Sequence, residues 1–211
     1  AFDGKQGVSQ PNVKAILHSD ATPSYNPIPE WLEVLPKWDG KDHIKALADT
    51  VPAQDDYWQE MLTRWLIGAL YTWTSDDISP LILVFVGEGN TGKTRWMRNL
   101  LPEHLQREYF TQTIEKDKEA IAMSMNLIVF FDEFASMLTR SEYRKLKELS
   151  STDYFNARLP YGHLPVNLKR IAMLAGTSNE HEVIADKTGN RRIIPITVKG
   201  VMDFEALERI D

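Results

Sequence analysis

The pattern of apolar positions changes near residue 80, where short apolar runs begin to alternate with segments of helical periodicity. Near-continuous apolar strands connected by helices are typical of a parallel sheet that is covered on both faces. We therefore predict an α/β fold with a parallel sheet flanked by helices. The predicted strands are 81–86, 108–112, 127–131, 170–175 and 192–198, and the predicted helices between them are 93–101, 116–125 and 141–149.

The first 78 residues are predicted to form an N-terminal appendage, loop-rich and helical, to a core at 79–211. Residues 1–40 contain five prolines and little periodicity, which indicates an extended arm with short helical pieces. From Tyr57 the apolar residues recur at i, i+3 and i+4, which predicts an amphipathic helix packed on a core. We expect Trp58 and Trp65 on this helix to be buried rather than to stack on nucleic-acid bases.

Charge is distributed unevenly along the chain. The formal net charge is −6, but residues 1–80 carry 6 basic and 12 acidic groups, whereas residues 155–199 carry 7 basic and 3 acidic groups. Any nucleic-acid contact is therefore expected in the second region. The absence of cysteine excludes disulfides and thiolate chemistry, and the five histidines lack the spacing of a zinc site. Because the apolar runs are too short to cross a bilayer, we expect a soluble, cytoplasmic protein without a membrane partner.

Residues 87–94, called the phosphate loop below, match the pattern G-x-x-x-x-G-K-[ST], between a predicted strand and a predicted helix. In this context the glycines allow backbone N–H groups to turn around phosphate oxygens, and Lys93 supplies a charge to the β- and γ-phosphates. The Thr94 hydroxyl is the expected Mg²⁺ ligand. The sequence therefore predicts ATP and Mg²⁺ as cofactors. The predicted nucleotide-binding residues are Gly87, Glu88, Gly89, Asn90, Thr91, Gly92, Lys93, Thr94 and Arg95.

Two carboxylates, Asp132 and Glu133, directly follow the apolar run 127–131. This places them at the C-terminal end of a buried strand, the edge where parallel sheets usually carry their chemistry. We expect Asp132 to hold Mg²⁺, largely through water, and Glu133 to polarise the attacking water as general base. The alternative is an acidic strand end that caps a neighbouring helix.

Polar residues that could act on the γ-phosphate lie next to the last two predicted strands. Asn179 would lie near the attacking water if its strand neighbours the strand before the phosphate loop, although an asparagine in a turn also serves as a local backbone cap. Arg191 and Arg192 precede the last strand, where an arginine can reach the nucleotide of an adjacent subunit. An ordinary surface ion pair is the alternative for these two arginines.

A β-hairpin is predicted from two short runs, 155–159 and 164–169, that flank the turn-rich segment 160–163. It carries Arg158, Tyr161, His163 and Lys169. Cations beside an aromatic residue on a projecting loop suit binding of a nucleic-acid backbone. A solvated hairpin without a nucleic-acid role is equally compatible with the sequence.

Taken in order, these segments resemble the virulence-associated protein E family, phage- and island-encoded ATPases similar to superfamily 3 helicases within the AAA+ class. The resemblance covers most of the chain. Besides the phosphate loop, it rests on Asn26-Pro27, Leu35-Pro36-Lys37-Trp38-Asp39-Gly40, Phe131-Asp132-Glu133, Lys147-Glu148-Leu149-Ser150, Arg158-Leu159-Pro160-Tyr161-Gly162, Gly176-Thr177-Ser178-Asn179 and Thr188-Gly189-Asn190-Arg191-Arg192.

The resemblance implies a five-stranded P-loop NTPase sheet of the AAA+ type and a ring-shaped homo-oligomer, expected to be a hexamer. It also implies that Asn179 is the sensor and that Arg191 or Arg192 acts as a finger across the subunit boundary. The hairpin would point into the ring channel, with His163 and Lys169 near DNA. His163 stands where family relatives often carry arginine. A primase or origin-binding partner is a further implication.

Three functions are compatible with these features. The preferred hypothesis is a Mg²⁺-dependent ATPase that acts as a helicase-like motor on single-stranded DNA in replication of a phage or mobile element. The alternative is a nucleotide-dependent switch or assembly scaffold that recruits partners without translocating, which suits the acidic first 80 residues. A P-loop kinase with Arg191 and Arg192 over the phosphates is a third interpretation, for which the sequence offers no acceptor pocket.

Overall fold

The computed structural model of the chain describes residues 9–17, 27–112, 114, 118–132, 140–159, 164–179 and 191–210. The chain divides into two compact units, residues 1–37 and residues 38–211. The first unit contains α1 (Gln10–Leu17) and α2 (Pro27–Glu33). The second unit contains α3 (His43–Asp49), α4 (Trp58–Thr74), β1 (Ile82–Val86), α5 (Lys93–Arg98), α6 (Glu103–Tyr109), β2 (Phe110–Thr111), α7 (Glu119–Met125), β3 (Ile128–Phe131), α8 (Arg140–Ser151), β4 (Tyr154–Ala157), β5 (Val166–Lys169), β6 (Met173–Ser178), β7 (Ile193–Thr197) and α9 (Phe204–Leu207). Helices α3 and α4 therefore belong to the same unit as the sheet, and the separation predicted after residue 78 stays a prediction.

The sheet confirms the predicted α/β architecture. Its strands are arranged in the order β2-β3-β6-β1-β7, and each neighbouring pair is parallel. Strands β1 and β6 are buried along their whole length, as expected for central strands covered on both faces. Because β6 lies between β1 and β3, the C-terminal ends of these three strands meet at one edge.

Helices cover both faces of β1. On one face Val84 packs in a cluster with Met123 from α7 and Leu146 from α8. On the other face Phe85 makes edge-on ring contacts with Trp58 of α4, at 5.5 Å, and with Trp96 of α5, at 5.3 Å. This alternation follows from the two-residue period of a strand.

Helix α4 buries Trp58, Leu62, Trp65 and Ala69 of the face that its periodicity predicts, whereas Leu70 of the same predicted face is exposed. The indole N–H of Trp65 donates to the carbonyl of Leu174 over 3.2 Å, which ties α4 to β6. A side chain at Gly68 would lie 2.5 Å from the Ser79 hydroxyl oxygen, so this glycine permits a close approach of helix and connecting segment. Trp58 and Trp65 are both buried, which confirms their predicted place in the core.

The predicted hairpin is present as the antiparallel pair β4 and β5, in which Tyr154 pairs with Lys169 and Ala157 with Val166. It forms a two-stranded sheet separate from the parallel one. The turn residues 160–163 lie outside the described residues. No helix in the described part of the chain has both the length and the apolar content that a bilayer span needs.

Two predicted strands differ from the observed ones. The run predicted as 108–112 is helical up to Tyr109, where α6 ends, and only Phe110 and Thr111 pair with β3. The strand predicted at 170–175 is shifted to Met173–Ser178. The backbone N–H groups of Ile171 and Ala172 instead donate to the Met123 carbonyl, outside the sheet.

Candidate functional site

The loop after β1 has the backbone geometry of a tight turn. Its positive φ angles are +148° at Gly87, +62° at Asn90 and +89° at Gly92. A side chain at Gly87 would collide with the carbonyl oxygen of Val198, and one at Gly92 would lie 2.6 Å from the Phe204 ring. Both glycines of the sequence motif are therefore required by φ and by space. Helix α5 begins at the next residue, Lys93.

Lys93 is folded back onto this loop. Its ammonium donates to the Gly87 carbonyl over 2.9 Å, to the Glu88 carbonyl, and to the Thr91 hydroxyl over 3.2 Å. The residue is only 6% exposed. Burial lowers the Lys93 pKa, while the nearby carboxylates of Asp132 and Glu88 oppose this shift. The ammonium thus lies inside the curve of the loop, held by groups that a more strongly charged acceptor can replace.

A cavity of about 340 Å³ joins the loop to the ends of the neighbouring strands. Asp132 follows β3, and its Oδ1 accepts a 2.7 Å hydrogen bond from the Thr177 hydroxyl near the end of β6. The structure thus brings Lys93, Thr94 and Asp132 to one site, as the sequence predicts. The cavity is lined by Gly89, Asn90, Thr91, Gly92, Lys93, Thr94, Arg95, Asp132, Thr177 and Asn179.

Asn179 lies immediately after β6, which neighbours β1. This adjacency is the condition on which its predicted sensor position depends. Asn179 lines the 340 Å³ cavity and also an adjoining cavity of about 570 Å³. The larger cavity extends along the first loop residues and the segment after β7, and its lining includes Gln54, Glu88, Thr197 and Lys199.

Arg191 and Arg192 lie at the opposite edge of the sheet from the phosphate loop. The Arg192 carbonyl accepts from the N–H of Ile82, the first residue of β1, and its guanidinium donates to the Lys147 carbonyl over 3.3 Å. Gly87 follows the other end of β1, five residues of strand away, or about 17 Å. Within one chain these arginines therefore lie far from the phosphate loop, which does not fit the kinase interpretation.

The hairpin residues predicted to contact nucleic acid have different surroundings. Arg158 follows β4 and is exposed. Lys169, at the end of β5, is 28% exposed, donates to the Ser75 carbonyl and lies 3.5 Å from an Asp76 carboxylate oxygen. Its ammonium is thus engaged at the base of the hairpin. Tyr161 and His163, together with the predicted base Glu133, lie outside the described residues.

Two residues of the site are not identified from the sequence. Thr177 precedes Asn179 by two positions, so the period of a strand could have assigned both to one face. Phe204 approaches the loop from a helix after the last strand, through a contact between distant parts of the chain. Local sequence carries no signal for a contact of that kind.

Comparisons with known proteins agree with this architecture. Solved apo structures of the NrS-1 C-terminal region superpose with TM-scores of 0.58 to 0.60 at 17–18% identity, over 85% of this chain. The chain spans less than half of those chains, 44–45% of their length. No curated protein matches the sequence. The family model of the virulence-associated protein E-like domain matches residues 32–210, and the chain therefore belongs to that family.

Proposed function

We propose that this chain binds ATP at residues 87–94 and hydrolyses it as a helicase-like motor on single-stranded DNA. One observation carries the nucleotide part. A glycine-shaped loop between a buried strand and a helix shares its cavity with a lysine ammonium and with a carboxylate that follows β3, the next strand but one. A glycine loop, a lysine and a carboxylate in this order along the chain are typical of a site that binds a nucleoside triphosphate with its metal ion.

Lys93 is the principal phosphate ligand in this proposal. A phosphate entering the loop replaces the carbonyls of Gly87 and Glu88 as partners of the ammonium. The exchange is favourable because a hydrogen bond between two charged groups is stronger than one to a neutral carbonyl. Backbone N–H groups of the loop accompany the ammonium around the phosphate oxygens.

The donor set of the cavity fits Mg²⁺, which prefers oxygen ligands and retains several waters. Thr94 and Asp132 would hold the ion, and both residues line the same cavity. The Thr177 hydroxyl bond orients Asp132 for this role. When bound, the ion neutralises charge that develops on the phosphate oxygens. Glu133 remains the proposed general base, and Asn179 the proposed γ-phosphate sensor.

The DNA part of the proposal is supported by charge and by the hairpin. Residues 155–199 carry 7 basic and 3 acidic groups in a chain whose net charge is −6. The hairpin leads through residues 170–172 directly into β6, whose other end carries Asn179. A change at the γ-phosphate can therefore be transmitted along one strand to the hairpin. In the intact protein, a finger from Arg191 or Arg192 would act on the site of a neighbouring subunit in a ring.

The test of nucleotide binding compares Lys93→Ala with Lys45→Ala by titration calorimetry with Mg-ATP. We expect Lys93→Ala to weaken binding about 10- to 100-fold, the value of a charge-assisted hydrogen bond. Lys45 pairs with Asp49 on the exposed surface of α3, and its replacement should leave the affinity unchanged. Equal affinity in wild type and Lys93→Ala contradicts the proposal.

The test of the motor measures ATP turnover by the full-length oligomer with and without single-stranded DNA. We expect the DNA to raise the rate, and Arg158→Ala to reduce this stimulation while the rate without DNA is retained. If single-stranded DNA does not change the rate of ATP turnover, the motor is excluded, whereas ATP hydrolysis itself is still supported.

A nucleotide-dependent scaffold is the second candidate, and exposed apolar side chains on α4 favour it. Ile67, Leu70 and Tyr71 are about half exposed or more, at helical spacing, in a region with an acidic excess. Such a stripe suits contact with another protein. Glu133→Gln separates the candidates, because a motor loses unwinding whereas a scaffold retains ATP-dependent partner binding.

A further inference from the structure

The side chain that follows the phosphate loop is held in a defined stack. The Arg95 guanidinium carbon lies 4.0 Å from the centroid of the Phe204 ring, and a guanidinium nitrogen lies 3.4 Å from a Glu208 carboxylate oxygen. Phe204 also contacts the loop itself, since a side chain at Gly92 would overlap its ring edge. Phe204 of α9 and Glu208 thus hold the Arg95 guanidinium beside the loop.

Arg95 also borders the 340 Å³ cavity, which it lines together with Asp132 and Thr94, and its side chain is 59% exposed. Phe204 covers one side of the guanidinium, so a ligand in the cavity can approach it from another side. A planar cation with an open face is a stacking surface for a nucleobase.

The orientation of a bound triphosphate would place its nucleoside end near Arg95. In a loop of this type the lysine reaches the β- and γ-phosphates, and the threonine hydroxyl lies on the metal ion beside the γ-phosphate. Asp132 therefore marks the γ side of the cavity. The α-phosphate lies nearer the start of α5, where Arg95 is the next residue after Thr94.

We propose that Arg95, backed by Phe204, is the platform on which the nucleobase of the bound nucleotide stacks. The inference rests on the proposed ATP binding and adds the contact that recognises the base. Stacking is tolerant of base identity, since every base has a π-face. The site therefore takes a nucleoside triphosphate with modest discrimination between bases.

The adjoining 570 Å³ cavity is a poorer place for the base. It lies against Gly87 and Glu88, at the start of the loop, and Arg95 is not part of its lining. Its lining residues include no aromatic side chain in the part of the chain that the structure describes. It offers hydrogen bonds from Gln54 and Lys199 but no stacking surface.

The experiment compares two ligands, ATP and inorganic tripolyphosphate, by titration calorimetry in the presence of Mg²⁺. Tripolyphosphate offers the phosphates without sugar or base. Arg95→Lys retains the positive charge and removes the planar face, so we expect ATP binding to weaken about tenfold while tripolyphosphate binding is retained. Phe204→Leu removes the aromatic ring behind the guanidinium and should also weaken the binding of ATP more than that of tripolyphosphate.

Arg98→Lys is the matched control. Arg98 lies one turn later on α5, 5.1 Å from the centroid of the Phe110 ring, and donates to Gln112 outside the cavity lining. Its replacement should leave the affinities for ATP and for tripolyphosphate unchanged.

The outcomes separate this inference from the proposed function. If Arg95→Lys weakens the binding of ATP and of tripolyphosphate equally, Arg95 contacts the phosphates and the base platform is overturned. The base platform is also overturned if Arg95→Lys changes the affinity for neither ligand. A wild-type chain that binds tripolyphosphate as tightly as ATP also overturns it while leaving the phosphate loop intact. Binding of neither ligand by the wild type overturns ATP binding itself.

Discussion

Thr177 donates its hydroxyl hydrogen to Oδ1 of Asp132 over 2.7 Å, which joins the ends of β6 and β3 beside the phosphate loop. The bond leaves the second carboxylate oxygen available to a metal ion or its water. A hydrogen bond of this kind fixes the orientation of a metal-binding carboxylate and sets its affinity. Thr177 is therefore a positioning residue for the proposed Mg²⁺ site.

Thr177→Val should raise the Mg²⁺ concentration that half-saturates ATP turnover by about 10- to 100-fold, because the valine retains the shape and loses the hydroxyl. A Mg²⁺ titration of the ATPase rate measures this shift. Thr177→Ser, which keeps the donor, should behave as wild type. An unchanged Mg²⁺ dependence in the valine variant would show that Asp132 needs no such support.

Gly92→Ala should destabilise the chain before any nucleotide is added. The substitution places a Cβ at a φ of +89° and 2.6 Å from a Phe204 ring carbon. Strain at a left-handed position alone costs about 1–3 kcal/mol. We expect a lower midpoint in urea unfolding and loss of ATP binding.

Gly89→Ala is the control for this prediction, because a Cβ added at Gly89 would meet no neighbouring atom within 4 Å and the residue has no positive φ. Its unfolding free energy should change by less than about 0.5 kcal/mol. Equal effects at the two positions would contradict the assigned role of the Phe204 contact.

Arg170 connects three segments around the base of the hairpin. It is fully buried and donates to the carbonyls of Ala172, Ser150 and Ser79 over 2.6–2.9 Å. Burial lowers its pKa to about 10, opposed by the charge of Asp153. The guanidinium is thus protonated at neutral pH and joins the end of α8, the segment before β1 and the start of β6.

Arg170→Met should lower the free energy of unfolding by about 3–5 kcal/mol, since three buried carbonyls lose their donor. Urea unfolding followed by circular dichroism measures the change. Arg64→Met is the matched control, because Arg64 pairs with Glu60 on the exposed face of α4 and such pairs contribute about 0.3–0.5 kcal/mol. A similar loss in both variants would exclude a structural role for the buried network.

The sequence predicts strands well where burial alone decides them. Strand β1 is predicted at 81–86 and begins at Ile82, and β3 is predicted at 127–131 and begins at Ile128, because both are continuous apolar runs. Turn signals are misleading in β6. Gly176 and its polar successors favour a turn locally, but β6 pairs with β3 up to Gly176 and with β1 up to Ser178, which extends the strand.

The candidate site divides in the same way. Lys93, Thr94 and Asp132 follow from motif and strand ends, because parallel strands bring their C-terminal ends to one edge. The order of the strands has no local signature in the sequence. The position of β6 between β1 and β3, and the Thr177 bond that depends on it, are therefore visible only in the structure. Phe204 is the extreme case, since its contact with Gly92 joins residues separated by the whole remaining sheet.

The position of Arg192 predicts complementation between two inactive variants. Because it lies at the edge of the sheet opposite its own phosphate loop, its proposed action on phosphoryl transfer requires the site of a neighbouring subunit. Arg192→Ala and Lys93→Ala should each lose ATPase activity in the full-length oligomer. An equal mixture, assembled together, should recover about a quarter of the wild-type rate, since a head-to-tail interface then pairs an intact loop with an intact arginine at random.

Arg107→Ala, on α6, mixed with Lys93→Ala in the same proportion, gives the rate expected from dilution of active loops alone. If the Arg192→Ala mixture stays inactive, the arginine acts in its own subunit or on structure, and the finger assignment passes to Arg191.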